Sequence, residues 1–140
     1  MMKVKDKKRT ARKTQKGLPN LVFKGTWMMI NSYNFGHIVV DGKRYTADLI
    51  VFPDTVKAGW WRKDGHRLQV EDLKEVLEAK PEVLVVGTGY YGEMIVPAET
   101  RKNVESEGIE LIIQKTAEAC KVFNRLAEIK KVVVALHLTC

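Results

Sequence analysis

Gly87-x-Gly89-x-x-Gly92 follows the apolar run Val83-Leu84-Val85-Val86 and spells the dinucleotide-binding fingerprint. Glycines at that spacing let the backbone approach a pyrophosphate, and a following helix N-terminus supplies the complementary charge. The surroundings argue for a plainer use. The next helical pattern starts near Pro97 rather than inside the loop, and Gln114-Lys115 stand where a ribose-binding acid is expected. The loop also lies in the middle of the chain. A tight strand exit built from small residues is therefore the favoured reading, and a small anion held by the amides of Thr88 to Gly92 is the functional alternative.

His137 and Cys140 suggest a thiolate–imidazole pair, but residues three apart on a strand face opposite sides. His137 shares a face with Thr139, and Leu138 shares one with Cys140. A structural use of this stretch is the better reading. Cys120 falls on an apolar stripe with Phe123 and Ala127 and reads as core. His37 and His66 have no ligand-like neighbours, and neither C-x-x-C nor H-x-x-x-H occurs. No catalytic residue, no metal site and no cofactor is assigned. Gly87, Thr88, Gly89, Tyr90, Thr116 and His137 are the candidate ligand-binding residues. A second candidate lies in Gly59-Trp60-Trp61-Arg62-Lys63-Asp64-Gly65-His66-Arg67. Adjacent tryptophans in extended chain point to opposite faces, so one enters the core and the other is left exposed beside arginines. Trp60, Trp61, Arg62 and Arg67 are thus a candidate interaction patch, with a lid packed on the sheet as the equal alternative.

These residues need elements to hold them. Residues 27–52 read as β structure: Gly36 to Val40 and Tyr45 to Phe52 flank Asp41-Gly42, a strong hairpin signal. Asp48 interrupts the second strand, and an exposed pleat position is the favoured reading for it. Pro53 ends the strand, and residues 54–68 form a turn-rich excursion. Val70, Leu73, Val76 and Leu77 then fit one helical face, with Glu71 and Asp72 in the first turn and Pro81 barring continuation. After strand 83–86 and the glycine loop, a helix runs from Pro97 to about Glu107 and ends at Gly108. Residues 109–113 form a strand. Thr116 caps a helix over roughly 117–129, on which Asn124 caps or bridges to a neighbouring loop. Strand 132–138 follows. The second half is thus β-α-β-α-β, whose parallel strands bring Gly87 to Gly89, Gln114 to Thr116 and His137 to Cys140 to one edge. That edge is where open α/β sheets bind ligands. The expected fold is a three-layer single α/β domain over residues 25–140. It has a mixed central sheet, with an N-terminal β-hairpin region followed by the parallel half.

The charge is unevenly spread. Of the net +7, residues 1–24 hold nine Lys or Arg against one acid, Asp6, while the remainder carries 15 basic and 16 acidic residues. The basic N-terminal extension could hold nucleic acid weakly and without sequence preference through phosphates. A solvated extension is the favoured reading, and a mitochondrial presequence fits poorly because lysine outweighs arginine and serine is absent. No apolar run approaches the ~20 residues of a membrane span. Two cysteines make no disulfide framework, so a cytoplasmic location is expected.

Five blocks together resemble a known family of small proteins. They are Tyr33-Asn34-Phe35-Gly36-His37-Ile38-Val39-Val40-Asp41-Gly42, then Gly65-His66-Arg67-Leu68 with Glu71-Asp72-Leu73, then Val85-Val86-Gly87-Thr88-Gly89. The fourth runs from Gly108-Ile109-Glu110 to Thr116, Ala119 and Asn124, and the fifth is Leu136-His137-Leu138-Thr139-Cys140. The family includes an adipogenesis-associated protein and a mitochondrial complex I assembly factor. The resemblance spans roughly residues 28–140 and implies a compact α/β domain with a mixed central sheet. It transfers no catalytic residue. The expected function is a non-enzymatic protein-interaction or assembly-support domain with a protein partner. The alternative is a small-molecule or anion-binding protein, or a cryptic enzyme, that uses the glycine loop.

Overall fold

A computed structural model describes residues 28–140, so the basic extension 1–24 lies outside the described residues. Two sheets form. Strands β1 (Ile30–Asn34), β2 (His37–Val40) and β3 (Lys43–Tyr45) make an antiparallel meander. Asp41 and Gly42 both have positive φ, the geometry of the tight hairpin turn expected there. The second sheet has the order β5-β4-β8-β6-β7, from β4 (Leu49–Val51), β5 (Val56–Ala58), β6 (Val83–Gly87), β7 (Glu110–Gln114) and β8 (Val132–Leu136). β6 runs parallel to both β7 and β8, while β4 is antiparallel to β8 and to β5, so the sheet is mixed.

The expected strand from Tyr45 to Phe52 is split. Its first residue ends the small sheet, Leu49 begins β4 in the large one, and Thr46 to Asp48 carry the chain between them. Residues 54–68 also contain a strand, β5, where turns alone were expected. A 3-10 turn at Val70–Leu73 leads into α1 (Lys74–Ala79), closed by Lys80 in the left-handed region. α2 spans Ala98–Ser106, with Pro97 as N-cap and Gly108 at φ 79° past its end. α3 spans Thr116–Leu126.

Side chains alternate across the large sheet, because successive strand residues face opposite sides. Leu49, Val51, Val83, Val85, Val132 and Val134 face α3 and the small sheet, where Phe123, Ile38 and Val40 close the layer. Ile50, Leu84, Val86, Val133 and Ala135 face Trp60, Leu68, Leu73, Val76 and Val104. The crossovers β6–α2–β7 and β7–α3–β8 travel in opposite directions over the sheet. Right-handedness of both therefore puts α2 and α3 on opposite faces. The strand order reverses between β6 and β8, and the C-terminal ends of those two strands frame the site below.

Candidate functional site

Thr116 ties three chain segments together where the parallel strands end. Its hydroxyl donates to His137 O at 2.6 Å and accepts from Gly89 N at 2.8 Å, while its own amide donates to Gly89 O at 3.0 Å. This corrects the expected capping role. Lys115 is the N-cap, Thr116 is the first helical residue, and its fully buried side chain serves the loop instead. The glycines have steric causes. A Cβ on Gly87 would lie 2.7 Å from Leu136 Cδ2 and 2.9 Å from Thr116 Oγ1. Gly89 has φ 111°, and a Cβ there would meet His137 Cδ2 at 2.9 Å and the Cys140 carbonyl closer still.

Four of the loop amides bond within the chain. Thr88 N donates to Gln114 O, Gly89 N to Thr116 Oγ1, Tyr90 N to Thr139 O and Gly92 N to Gly89 O. These bonds count against the small-anion alternative over Thr88 to Gly92, which calls for converging donors. The loop instead locks β6 to the segment leaving β8, as the strand-exit reading anticipated.

A charged cluster lies beneath it. Asp48, just before β4, accepts from Leu138 N through Oδ1 at 2.8 Å, and its Oδ2 lies 2.8 Å from both His137 Nδ1 and Arg62 Nη1. Arg62 Nη2 donates to Gly65 O at 2.9 Å and lies 3.1 Å from His137 Nδ1. His137 Nδ1 cannot serve both neighbours: with its proton directed at Asp48 it donates there, and the guanidinium, which only donates, then finds no acceptor in it. Burial opposes ionisation of Asp48, but hydrogen bonds from His137 and Leu138, the charge on His137 and the Arg62 contact outweigh it. Together they hold its carboxyl below the usual carboxylate range. Asp48 is thus no exposed pleat position. Its sequence signal was an acid entering a buried strand, which requires a partner. His137 Nε2 and Arg62 Nε are buried without a hydrogen-bond partner among the described residues.

The segment held by Asp48 and Thr116 in turn carries an exposed aromatic cluster. Leu138 O accepts from Tyr33 Oη at 2.8 Å and from Gly36 N at 2.9 Å, and Thr139 O accepts from Tyr90 N at 2.6 Å. Tyr90 touches Tyr33, Phe35 and Tyr91, with ring centroids 6.3, 5.7 and 5.0 Å apart. Phe35, Tyr90 and Tyr91 are 46%, 46% and 60% exposed. The Tyr33 hydroxyl is pushed up to about 12, first by burial and then by nearby Cys120, Tyr90 and Asp48, so it stays a donor.

The structure therefore brings Gly87, Thr88, Gly89, Tyr90, Thr116 and His137 to one edge, and adds Asp48, Arg62, Tyr33, Phe35 and Tyr91. The four-residue interaction patch does not form as expected. Trp61 is 77% exposed and Arg67 is exposed, but Trp60 and Arg62 are buried. Arg62 stacks 4.7 Å above the Trp60 ring, whose Nε1 donates to Asp72 O. Arg62 thus serves the buried cluster instead of the surface. Cys120 is core, its thiol pushed up to about 12 by burial. Among the described residues no His, Cys, Asp and Glu group of three or more could hold a metal, and no helix is long and apolar enough to cross a membrane.

The arrangement matches a family defined by sequence. A model described as protein of unknown function (DUF498/DUF598) matches residues 30–137. The chain belongs to this family. It is 27% identical over 112 residues to NADH dehydrogenase [ubiquinone] 1 alpha subcomplex assembly factor 3 of Xenopus tropicalis, covering 78% of this chain and 60% of the relative. It is 31% identical over 110 residues to the Danio rerio protein of the same name, covering 76% and 62%. The chain thus spans about three-fifths of the length of these curated relatives. The fold is that of a conserved hypothetical protein from Pyrococcus horikoshii, with a TM-score of 0.68 at 30% identity, covering 79% of this DUF498/DUF598 chain and 98% of the other.

Proposed function

We propose that this DUF498/DUF598 domain is a non-enzymatic protein-interaction module that supports assembly of a larger complex. The observation that carries the reading is the exposed cluster of Phe35, Tyr90 and Tyr91. Aromatic side chains fixed in mutual contact lose little freedom on binding and dominate interface energetics. The cluster is held on backbone carbonyls at the strand exits, so it is presented rigidly. The assembly-factor names of the Xenopus and Danio relatives support a protein as the partner, and the free thiols of Cys120 and Cys140 support a reducing compartment such as the cytoplasm. Nucleic acid enters only as a weak, sequence-blind contact of residues 1–24.

The test is site-specific photo-crosslinking in the native host from position 91, from exposed Lys102 as control, and from position 91 in a chain lacking residues 1–24. A reproducible protein adduct from position 91, absent from position 102 and retained after truncation, is the expected result. Equal adducts from both positions, or adducts lost after nuclease treatment, sink the proposal.

A second reading, a small polar ligand at the same edge, is favoured by the buried His137 Nε2 and Arg62 Nε, which lack partners among the described residues. Phosphate, carboxylates and nucleotides should then raise the melting temperature, and a ligand at ~100 times its Kd adds about 2.7 kcal/mol. A flat response to all of them removes this reading.

A further inference from the structure

The two sheets have four edges, and three are guarded. β1 is clamped by Asn124, whose Oδ1 accepts from Ile30 N at 2.9 Å and whose Nδ2 donates to Ile30 O at 2.7 Å. β3 is Lys43-Arg44-Tyr45, and its two cations make poor company for an added strand. β5 places Lys57 at its centre, paired with Glu75. β7 has no such device. It reads Glu110-Leu111-Ile112-Ile113-Gln114, with no basic residue, proline or glycine, and its three apolar side chains are half-buried. Among the described residues β6 is its only strand neighbour.

Its backbone shows which groups are open. Glu110 N donates to Glu82 O, and Gln114 O accepts from Thr88 N. Backbone groups alternate in direction along a strand, so those of residues 110, 112 and 114 face β6. Those of Leu111 and Ile113 face outward.

We propose that β7 pairs antiparallel with β7 of a second copy of this chain, joining two five-stranded sheets across a two-fold axis. In the register centred on Ile112, Leu111 of each copy exchanges both backbone hydrogen bonds with Ile113 of the other. Ile112 meets its own copy, giving an apolar centre. Glu110 falls opposite Gln114 at both ends, so no like charges oppose each other and the amide can donate to the carboxylate. Within its own chain Glu110 has a loose, exposed contact with Lys130 at 3.9 Å, which leaves the carboxylate open to a further partner. An isologous contact requires this self-complementarity. A five-residue strand edge lies at the small end of specific interfaces, so the association is weak and depends on concentration.

The experiment is sedimentation velocity of the full chain over a wide concentration range, with Gln114→Lys and Gln114→Glu. The Gln114 side chain is exposed and its bonds within the fold run through its backbone, so thermal melts check that both variants fold alike. Each substitution acts twice in a two-fold pair. Lys opposite Glu110 should tighten the dimer and Glu opposite Glu110 should weaken it, each by about tenfold in Kd. Added salt should shrink both effects. The dimer should persist without residues 1–24. A monomer at every concentration overturns the proposal. So does a dimer indifferent to the charge at position 114, or one lost on truncation.

Discussion

At Asp48 burial and pairing pull in opposite directions, and pairing prevails. Because its carboxyl titrates below the ~3.9 of an unfolded aspartate, its contribution is complete above about pH 4. It is lost as pH falls through the depressed value. Asp48→Asn leaves Arg62 buried without its counter-ion and should cost about 3 kcal/mol at pH 7, read from urea midpoints. The deficit relative to the parent should shrink as pH falls below about 4, where the parent loses the same contribution. A deficit that is constant with pH contradicts the ionic account. Adding Arg62→Met to the Asp48→Asn variant should recover most of the loss, since the stranded charge is gone. Part of this was legible in the sequence. An acid entering the apolar run Leu49-Ile50-Val51 needs a partner or exposure; the sequence alone favours exposure, although His137 stands among its candidate residues. The partner's identity was hidden, because Asp48, Arg62 and His137 meet only through the sheet order and a turn excursion with no periodicity.

Strands written as continuous apolar runs, such as Val83–Gly87 and Val132–Leu136, and helices with a clear start or stop such as Pro97 and Gly108, were readable at the element scale. Elements fixed by tertiary contacts were not. The run from Tyr45 to Phe52 has continuous strand chemistry, yet Asp48 O accepts from Trp60 N and its side chain turns to His137, so pairing breaks at Thr46–Asp48. β5 is three residues long, too short to show a period. The Asn124 clamp was foreseen as a bridge, but its target, the backbone of Ile30, was not. It joins the small sheet to α3 with two part-buried hydrogen bonds. Asn124→Ala should lower stability by about 2 kcal/mol, because both backbone groups lose their partner. Amide exchange at Ile30 should accelerate beyond the global change while β6 amides follow it. Uniform acceleration across both sheets would show that the clamp is not local.

The charge of the whole molecule belongs to its first 24 residues, and the remainder is near-neutral, so the recognition proposed for the aromatic cluster rests on shape and apolar contact. The sheet order adds a constraint in time. Among the described strands β8 comes last in sequence, yet it sits between β4 and β6 and alone joins the β5–β4 pair to the β6–β7 pair. Until it inserts, the large sheet exists as two separate ribbons with open inner edges. His137 and the Leu138 carbonyl that holds Tyr33 also arrive with it. During synthesis from the N-terminus, the strands of both ribbons emerge before the strand that joins them. The step that makes the large sheet a single sheet is thus also the one that brings in the carbonyls of Leu138 and Thr139 on which Tyr33 and Tyr90 rest.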